Sequence, residues 1–392
     1  MRILVLNSGS SSLKFQLIQL PEQSVLAIGA IEEIGKEKSI VTFSSDAKEG
    51  VQKEMAIPNF EVGLTVVAQW LMEGTIKLIE QPTDLFAVGH RVVHGGEILK
   101  KSMLATPEVK AEIKKLFGLA PLHNPANLKG IEVAEQIFKG VKQYAVFDTS
   151  FYADLPAKAY RYPVPKEWYT DYGVRVYGFH GTSHKYVANK GVDFLGLVEK
   201  YKVISIHLGN GCSMAAIKDG VCIDTTMGLG PLPGLMMGTR SGDLDPSVLF
   251  YLHEKGFTVS DLKESVNKKS GLLGIAGDND LRTVLQKRKD GDKDAALALA
   301  IYTYRIKKYI GAYIAALGGI DALIFTAGVG ENSDDVRWES CEGLDCFNIN
   351  LDAELNNKRL ANTRNIAKES SVPVLIVPTN EELAIALEVN TL

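Results

Sequence analysis

Three glycine-rich segments of the chain could bind an anion. They cover residues 7–12 (Asn-Ser-Gly-Ser-Ser-Ser), 207–211 (His-Leu-Gly-Asn-Gly) and 328–332 (Gly-Val-Gly-Glu-Asn). Glycine lets backbone N–H groups approach an anion and converge on it, and serine hydroxyls add further donors. Each segment alone would also suit an ordinary hairpin turn or strand–helix turn, so both interpretations stay open at this point.

Two common nucleotide-binding patterns can be tested against these segments. No GxxxxGK[ST] sequence occurs, which excludes a P-loop protein. Gly328 and Gly330 begin like a dinucleotide fingerprint, but Ser333 stands where the third glycine belongs. A dehydrogenase is therefore disfavoured.

The histidines are concentrated in polar turn motifs. Six of the seven lie in or beside such motifs: His90, His94, His123, His180, His184 and His207. Histidines that serve only the core would be scattered, so this clustering indicates a site without assigning roles to its members.

Composition limits the function classes. At roughly 150 residues per domain, 392 residues predict two domains. The net charge of −4 and the lack of a dense Lys/Arg tract argue against a nucleic-acid partner.

No apolar run approaches the ~18 residues of a spanning helix, and the N-terminal run is too short for a signal peptide. Four cysteines without CxxC spacing fit a reducing cytoplasm and argue against structural zinc. We therefore expect a cytoplasmic protein without a membrane partner.

Hydrophobic periodicity predicts the elements that must position these segments. In the first half, strands are expected at 2–7, 13–20, 25–31, 39–43, 85–93 and 141–148, with helices at 60–80, 107–117 and 125–138. In the second half, strands are expected at 202–207, 213–218, 221–224, 322–326 and 372–377. Helices are expected there at 294–317, which Gly318-Gly319 should terminate, at 333–340, and from Asn380.

The two halves share one order of elements. Residues 4–9 correspond to residues 204–209, each a strand followed by a polar turn and a second strand. A duplicated strand-strand-strand-helix-strand unit is the simplest interpretation. We expect a first domain at 1–149, a second at 150–382 with a helical insertion near 243–318, and a terminal helix near 383–392 that packs back on the first domain. Two such units would leave a cleft, where ligands commonly bind.

Taken together, the motifs resemble the acetate kinase family. The matching segments follow the family order over residues 3–383: 7–15 (NSGSSSLKF), 89–96 (GHRVVHGG), 147–149 (FDT), 177–184 (YGFHGTSH), 207–211 (HLGNG), 236–243 (MMGTRSGD), 328–332 (GVGEN) and 378–383 (PTNEEL).

The resemblance implies both a fold and a reaction. The fold would be the α/β fold of the actin, Hsp70 and sugar kinase superfamily, with duplicated ribonuclease-H-like domains facing across a cleft. The reaction would be reversible phosphoryl transfer from ATP to acetate, giving acetyl phosphate and ADP by direct in-line attack of the carboxylate. The resemblance also implies Mg²⁺, with Mn²⁺ as a substitute, and a homodimer.

The chemistry of this reaction suggests roles for the matching residues. A carboxylate with a pKa of roughly 4 is already ionised at pH 7, so no general base is required. The enzyme must instead offset the repulsion between the carboxylate and the phosphoryl group, which are both anionic. The planar guanidinium of arginine suits this task. The resemblance implies that Arg91 and Arg240 do this and that His180 steadies the phosphoryl group. Asp148 would orient metal-bound water or an arginine.

The resemblance also places the magnesium site at Asn7 and Glu381. Thr379 and Glu382 fit a capping box, which would explain Glu382 structurally and leave Glu381 as the ligand. For Arg240, a simple pairing with Asp243 or Asp245 remains the alternative.

The resemblance implies two further sets of contacts. A small apolar acid pocket would use Val93, Leu122, Phe179 and Pro231, together with Arg91; plain core packing of these apolar residues is the alternative. Nucleotide contacts would come from Lys14, His207, Leu208, Gly209, Asn210, Gly211, Asp280, Leu281, Arg282, Gly328, Val329, Gly330, Glu331 and Asn332, with His123 as a supporting phosphate contact.

Two departures from the family pattern leave the preferred acid open. The family usually has Thr-Pro-Leu-Glu-Gly where this chain has Gly-Pro-Leu-Pro-Gly at 230–234, and often has two arginines where this chain has Arg175-Val176. A propionate or butyrate kinase is the nearest alternative. An ATP-driven switch of the Hsp70 or actin type is a more distant one, since we expect no room after the terminal helix for a substrate-binding domain.

Overall fold

The computed structural model describes residues 1–9, 11–45, 48–73 and 77–392. Within them the chain divides into two compact units. The first unit comprises Met1–Ala153 and Asn380–Leu392, and the second comprises Asp154–Thr379. None of the helices in these described stretches combines the length and the apolar character needed to cross a bilayer.

The first unit is built on an eight-stranded mixed sheet in the order β5-β4-β3-β2-β1-β6-β8-β7. Strands β1 to β5 form an antiparallel meander, while β6 and β8 run parallel to β1. The strands are β1 (Arg2–Ser8), β2 (Ser12–Gln19), β3 (Ser24–Glu32), β4 (Ser39–Ser45), β5 (Lys48–Met55), β6 (Ala87–Val92), β7 (Met103–Leu104) and β8 (Lys142–Phe147).

The described part of this unit contains four α-helices: α1 (Phe60–Met72), α2 (Pro107–Lys115), α3 (Asn124–Ile137) and, from the end of the chain, α15 (Glu381–Asn390). The α1 helix begins where the Asn59 side chain accepts a hydrogen bond from the Val62 N–H. It ends at Met72, earlier than the predicted 60–80. Ile76, which belonged to the predicted helix, lies outside the described residues. The close packing of α15 on the sheet is visible at Gly89, where a Cβ atom would lie 2.8 Å from the Ile385 side chain.

The second unit is built on a six-stranded sheet in the order β11-β10-β9-β12-β14-β13. Its strands are β9 (Lys202–Leu208), β10 (Cys212–Lys218), β11 (Val221–Thr225), β12 (Ala322–Thr326), β13 (Arg364–Asn365) and β14 (Val374–Ile376). Its helices are α4 (Ala157–Tyr160), α5 (Lys166–Tyr172), α6 (Gly181–Leu195), α7 (Pro246–Glu254), α8 (Val259–Lys268), α9 (Gly271–Ala276), α10 (Leu281–Lys289), α11 (Lys293–Leu317), α12 (Ala327–Asn332), α13 (Asp334–Cys341) and α14 (Ala353–Asn357).

The predicted duplication is confirmed by strand order. In the first sheet an antiparallel β3-β2-β1 meander is followed by β6 and β8, which run parallel to β1. In the second sheet the β11-β10-β9 meander is followed in the same way by β12 and β14. The fold is therefore α/β with two mixed sheets of matching topology.

The local structure differs from the sequence-based prediction at residues 328–332 and at two elements that were not predicted. Residues 328–332 form most of the short helix α12 and not a turn, and Ala327, its first residue, has a left-handed φ of 64°. Strand β5 was not expected, because its sequence is mostly polar and lacks a core-facing alternation. Helix α6 was also missed, because glycines and polar residues obscure its periodicity. By contrast, α11 ends at Gly318 in a left-handed conformation, as predicted.

Candidate active site

Three predicted site residues of the first unit lie at one edge of its sheet. Strands β1, β6 and β8 run parallel, with Leu6 level with His90, and Arg91 level with Val146. Asn7, near the end of β1, is thus next to Arg91, and Asp148 directly follows β8. Polar side chains at the carboxyl ends of adjacent parallel strands are the usual origin of a site in an α/β sheet.

Arg91 is held by a buried carboxylate. Its Nε and Nη2 both donate to Asp148 Oδ2, at 3.0 Å and 2.6 Å, and its Nη2 lies 3.6 Å from Glu381 Oε2. The Asp148 side chain is 1% exposed. Burial alone would lower the pKa of Arg91, but Asp148 and Glu381 together raise it above its ordinary value. Arg91 therefore stays charged, and this contact orients it.

Glu381 carries a buried oxygen that lacks a hydrogen-bond partner among the described residues. Its Oε2 makes no hydrogen bond within the described residues, although it lies at the N-terminus of α15 close to Arg91. Burial raises the pKa of Glu381, Arg91 opposes this shift, and Asp148 adds to it. An unsatisfied buried carboxylate oxygen is costly unless a ligand or ion completes it.

The oxygen ligands available at this edge suit a magnesium ion. Two carboxylates and an amide oxygen, from Asp148, Glu381 and Asn7, are the hard oxygen ligands that Mg²⁺ prefers. Within the described residues, no three His, Cys, Asp or Glu side chains are grouped to enclose a metal. The residues present thus fit an ion that keeps several waters and is held by one or two side chains.

The predicted capping box at Thr379 and Glu382 is wrong. The N-cap of α15 is Asn380, whose Oδ1 accepts from the Leu383 N–H at 2.9 Å. The Thr379 hydroxyl instead lies 2.8 Å from Ser183 Oγ, and its N–H donates to Glu331 Oε1. The helix starts one residue later than expected, so the capping role does not explain Glu382.

In the second unit, His180 and Arg240 converge on the turn after β9. His180 is the N-cap of α6 and has a left-handed φ of 57°. A Cβ atom on Gly211 would lie 3.4 Å from His180 Nε2 and 3.6 Å from Arg240 Nη1. The His180 ring also stacks on His207, with centroids 4.4 Å apart. The missing side chain at Gly211 thus leaves room in front of two nitrogen-bearing groups that can bind an anion.

Arg240 has no carboxylate partner within the described residues. Its Nη1 donates to the Pro231 carbonyl at 2.9 Å and contacts Met237 Sδ. Burial lowers its pKa, and no acidic side chain other than the Cys212 thiol opposes this shift. An unpaired, partly buried guanidinium is suited to bind an anionic ligand.

The two aspartates considered as alternative partners of Arg240 are engaged elsewhere. Asp243 accepts hydrogen bonds from Tyr309 Oη at 2.5 Å and from the Gly234 N–H. Asp245 caps α7 through Ser247. The alternative of a simple pairing with Asp243 or Asp245 is therefore wrong.

A cavity of about 980 Å³ lies in the second unit beside this turn. Many of the predicted nucleotide-binding residues line it: Gly209, Asn210, Asp280, Leu281, Arg282, Gly328, Val329 and Asn332. Sequence reasoning missed other lining residues, among them Gln286, Lys289, Tyr302 and Arg359. The first two could have been found, because they follow Arg282 at helical spacing on α10.

Other predicted nucleotide-binding residues have different surroundings. Leu208 is buried on β9, the Gly330 carbonyl accepts from Arg337, and Glu331 accepts from the Thr379 N–H. Lys14 is exposed on β2 and lines a separate 490 Å³ cavity of the first unit together with Glu382. Leu208, Gly330 and Glu331 therefore do not line the 980 Å³ cavity of the second unit.

The predicted acid-pocket residues differ in exposure. In the first unit, Val93 is buried, whereas Leu122 is 68% exposed and could meet a ligand. In the second unit, Phe179 is buried, and the Pro231 carbonyl holds Arg240.

Comparison with known proteins shows the family to which this chain belongs. A sequence model of the Acetokinase family matches residues 2–387. An acetate kinase of Oleidesulfovibrio alaskensis is 49% identical over 98% of each chain, and one of Thermotoga maritima is 47% identical over 98% of this chain and 97% of its own. The crystal structure of Porphyromonas gingivalis acetate kinase superposes with a TM-score of 0.95 at 43% identity, covering 100% of this chain and 99% of the other. A propionate kinase from Francisella tularensis superposes with a TM-score of 0.92 at 39% identity, covering 99% and 98%. The chain belongs to the acetokinase family.

Proposed function

We propose that this protein catalyses the reversible transfer of the γ-phosphoryl group of ATP to acetate, giving acetyl phosphate and ADP. The observation that carries the proposal is the pair of His180 and Arg240 facing Gly211, next to a cavity lined by predicted nucleotide-binding residues. Charge on the transferred phosphoryl group is spread over three oxygens, and fixed donors stabilise it most when they are already oriented.

Arg91 and Asp148 serve the acid in this proposal. The carboxylate attacks as an anion, so Asp148 does not act as a base; its contact with both Nε and Nη2 of Arg91 orients that guanidinium. Arg91 offsets repulsion between the carboxylate and the phosphoryl group.

Asn7 and Glu381 hold Mg²⁺ in this proposal, through waters for part of its coordination. The ion, or Mn²⁺ in its place, would neutralise charge on the nucleotide phosphates. The unsatisfied Oε2 of Glu381 supports this assignment.

Acetate is the preferred acid in this proposal, and propionate is the second candidate. The curated relatives are acetate kinases, but a propionate kinase has nearly the same fold. One methylene changes binding in an apolar pocket by only about 1–3 kcal/mol. Trapping the acyl phosphate as hydroxamate with formate, acetate, propionate and butyrate in parallel tests both. Failure with all acids in a folded, ATP-binding sample would refute the proposal.

The protein acts as a homodimer in the cytoplasm in this proposal. Helix α7 buries none of its residues in the single chain and exposes Val248, Phe250 and Tyr251. Apolar patches of this kind commonly mark protein interfaces. All four cysteines are free thiols, which supports a reducing compartment. Sedimentation velocity of the wild type and of Phe250→Glu should show a dimer that the substitution weakens.

A further inference from the structure

A chain of hydrogen bonds runs from His180 into the core of the second unit. His180 Nδ1 lies 2.9 Å from Ser213 Oγ, and Ser213 Oγ lies 2.7 Å from His184 Nε2. His184 Nδ1 in turn lies 2.8 Å from Ser205 Oγ. One serine hydroxyl therefore connects two imidazole rings, and a second hydroxyl closes the far end of the chain.

The members behind His180 are fixed by their burial. Ser213, His184 and Ser205 are all 0% exposed. The serines stand on the adjacent strands β10 and β9, and His184 lies one turn into α6. Burial, followed by the neighbouring His207, holds the pKa of His184 well below its ordinary value, so this ring is neutral at pH 7 and carries one N–H.

If both histidines are neutral, counting protons leaves two arrangements of these hydrogen bonds. Ser213 has one O–H to donate, so it donates to one ring and accepts from the other. If Ser213 donates to His184, a neutral His180 must carry its proton on Nδ1. If Ser213 donates to His180 Nδ1, then His184 donates from Nε2, Ser205 donates to His184 Nδ1, and His180 carries its proton on Nε2.

The Nε2 atom of His180 is the one that faces the site. A Cβ atom on Gly211 would lie 3.4 Å from it, with Arg240 Nη1 3.6 Å from the same point. Only a protonated Nε2 can donate a hydrogen bond to a phosphoryl oxygen there. The left-handed backbone of His180, a conformation that costs roughly 1–3 kcal/mol, is consistent with a ring held in a required orientation.

We propose that Ser213, supported by His184 and Ser205, is a positioning residue that holds neutral His180 in the Nε2–H tautomer, so that His180 donates to the transferring phosphoryl group. Both the choice of tautomer and its catalytic consequence rest on the proposed function, because a phosphoryl oxygen is the acceptor that requires the proton on Nε2.

A double-mutant cycle tests the catalytic consequence. Ser213→Ala should lower kcat by about tenfold, the effect of about one hydrogen bond to a charged group, with the KM values for ATP and acetate little changed. In a His180→Ala background the same substitution should have almost no effect on kcat, because the residue on which it acts is gone. Ser340→Ala, which removes another fully buried hydroxyl, should leave kcat unchanged. An equal loss in both backgrounds would mean that Ser213 has a structural role only, and the proposal would fall.

Nuclear magnetic resonance tests the tautomer without any turnover. In protein labelled with ¹⁵N at its histidines, the His180 signals, assigned by their loss in His180→Gln, should show a protonated Nε2 and an unprotonated Nδ1 at pH 7. Ser213→Ala should shift them toward a mixture of tautomers; if that variant does not fold, Ser205→Ala should do the same. A wild-type spectrum with the proton on Nδ1 overturns the proposal whatever the activity. The hydroxamate assay separately decides the reaction, so the two failures are distinguishable.

Discussion

At the scale of single residues, Arg240 differs from Arg91 in how it is held. Arg91 is fixed by two hydrogen bonds to Asp148, whereas Arg240 donates to the carbonyl oxygen of Pro231 and meets no carboxylate among the described residues. A carbonyl orients a guanidinium without neutralising it. Arg240 therefore keeps its charge available for a ligand, while Arg91 shares its charge with two protein carboxylates.

Arg240→Ala should lower kcat by about 10²–10³, the usual cost of removing one transition-state donor, and leave ATP binding by calorimetry little changed. Arg240→Lys should not restore the rate, because an ammonium group cannot reproduce the bidentate contact of a guanidinium. Added guanidine should restore part of it in Arg240→Ala. If Arg240→Lys kept most of the wild-type kcat, Arg240 would supply only general positive charge.

Glu381→Gln should raise the Mg²⁺ concentration needed for half-maximal rate by about 10–100-fold. The neutral amide keeps the size of the side chain but is a weaker magnesium ligand. Since burial raises the pKa of Glu381, the wild-type requirement should also increase as pH falls toward the ordinary value near 4.3, and the variant should lose this dependence. Titrating the rate with Mg²⁺ at several pH values measures both effects. An unchanged requirement would remove Glu381 from the metal site.

At the scale of elements, the start of α15 determines where the two glutamates lie. Asn380 caps the helix, which places Glu381 and Glu382 in the first turn, where carboxylates are favoured by the helix dipole. A sequence cannot decide between Thr379 and Asn380 as cap, because both residue types suit the position. Contacts of Thr379 with Ser183 and Glu331 decided it.

Asn380→Ala should lower the free energy of unfolding by about 1 kcal/mol, because the Leu383 N–H loses its acceptor. Glu382→Ala should not show this loss, since Glu382 is not part of the cap. Chemical denaturation of the two variants compares them directly. Equal losses would restore a capping role to Glu382.

Helix α11 holds the loop that carries Arg240. Tyr309 donates to the Asp243 side chain, and Arg305 donates to the Asp243 carbonyl at 2.7 Å. Asp243 also accepts from Gly234, which ties both ends of the loop together. Helix α11 therefore supports the loop of Arg240 through Asp243.

Tyr309→Phe should lower kcat by about tenfold, since a hydrogen bond to a charged group contributes about 1.5–3 kcal/mol and its loss frees the loop. Tyr304→Phe on the same helix is the matched control, because that side chain is 61% exposed. Its kcat and melting temperature should stay at the wild-type values. If Tyr309→Phe lost stability but kept its kcat, the loop would not depend on this contact.

At the scale of the whole molecule, buried neutral histidines link stability to pH. Burial lowers the pKa of His90 to about 4, against an opposing hydrogen bond to Gln143, and lowers that of His94 to about 4. Between these values and 6.5, the unfolded chain binds protons that the folded chain does not. The free energy of unfolding should therefore be unaffected by these two histidines above pH 6.5, and it should decrease as the pH falls toward 4.

His90→Gln should reduce this loss by up to roughly 3 kcal/mol, because an amide can keep the hydrogen bond to Gln143 without titrating. Denaturation at pH 7 and pH 4.5 measures the difference between variant and wild type. Parallel pH profiles for His90→Gln and wild type would contradict this account.

The sequence by itself determined the order of most elements, the duplicated topology and the family. Periodicity and terminators such as Gly318 are local signals, so they predict α11 or β12 without knowledge of neighbours. The same holds for the motifs around Asn7, His180 and Arg240, whose residue types already indicated an anion site. Helical spacing after Arg282 could even have added Gln286 and Lys289.

The tertiary structure alone decided which groups meet. Arg91, Asp148 and Glu381 are distant in sequence and come together only through parallel strand register and the packing of α15 on the first sheet. The engagement of Asp243 by Tyr309, the cap at Asn380 and the Ser213 link between two histidines also depend on contacts between elements. Hydrogen bonds form only within a few tenths of an ångström of their ideal length, and a pattern of residue types does not carry distances of that accuracy.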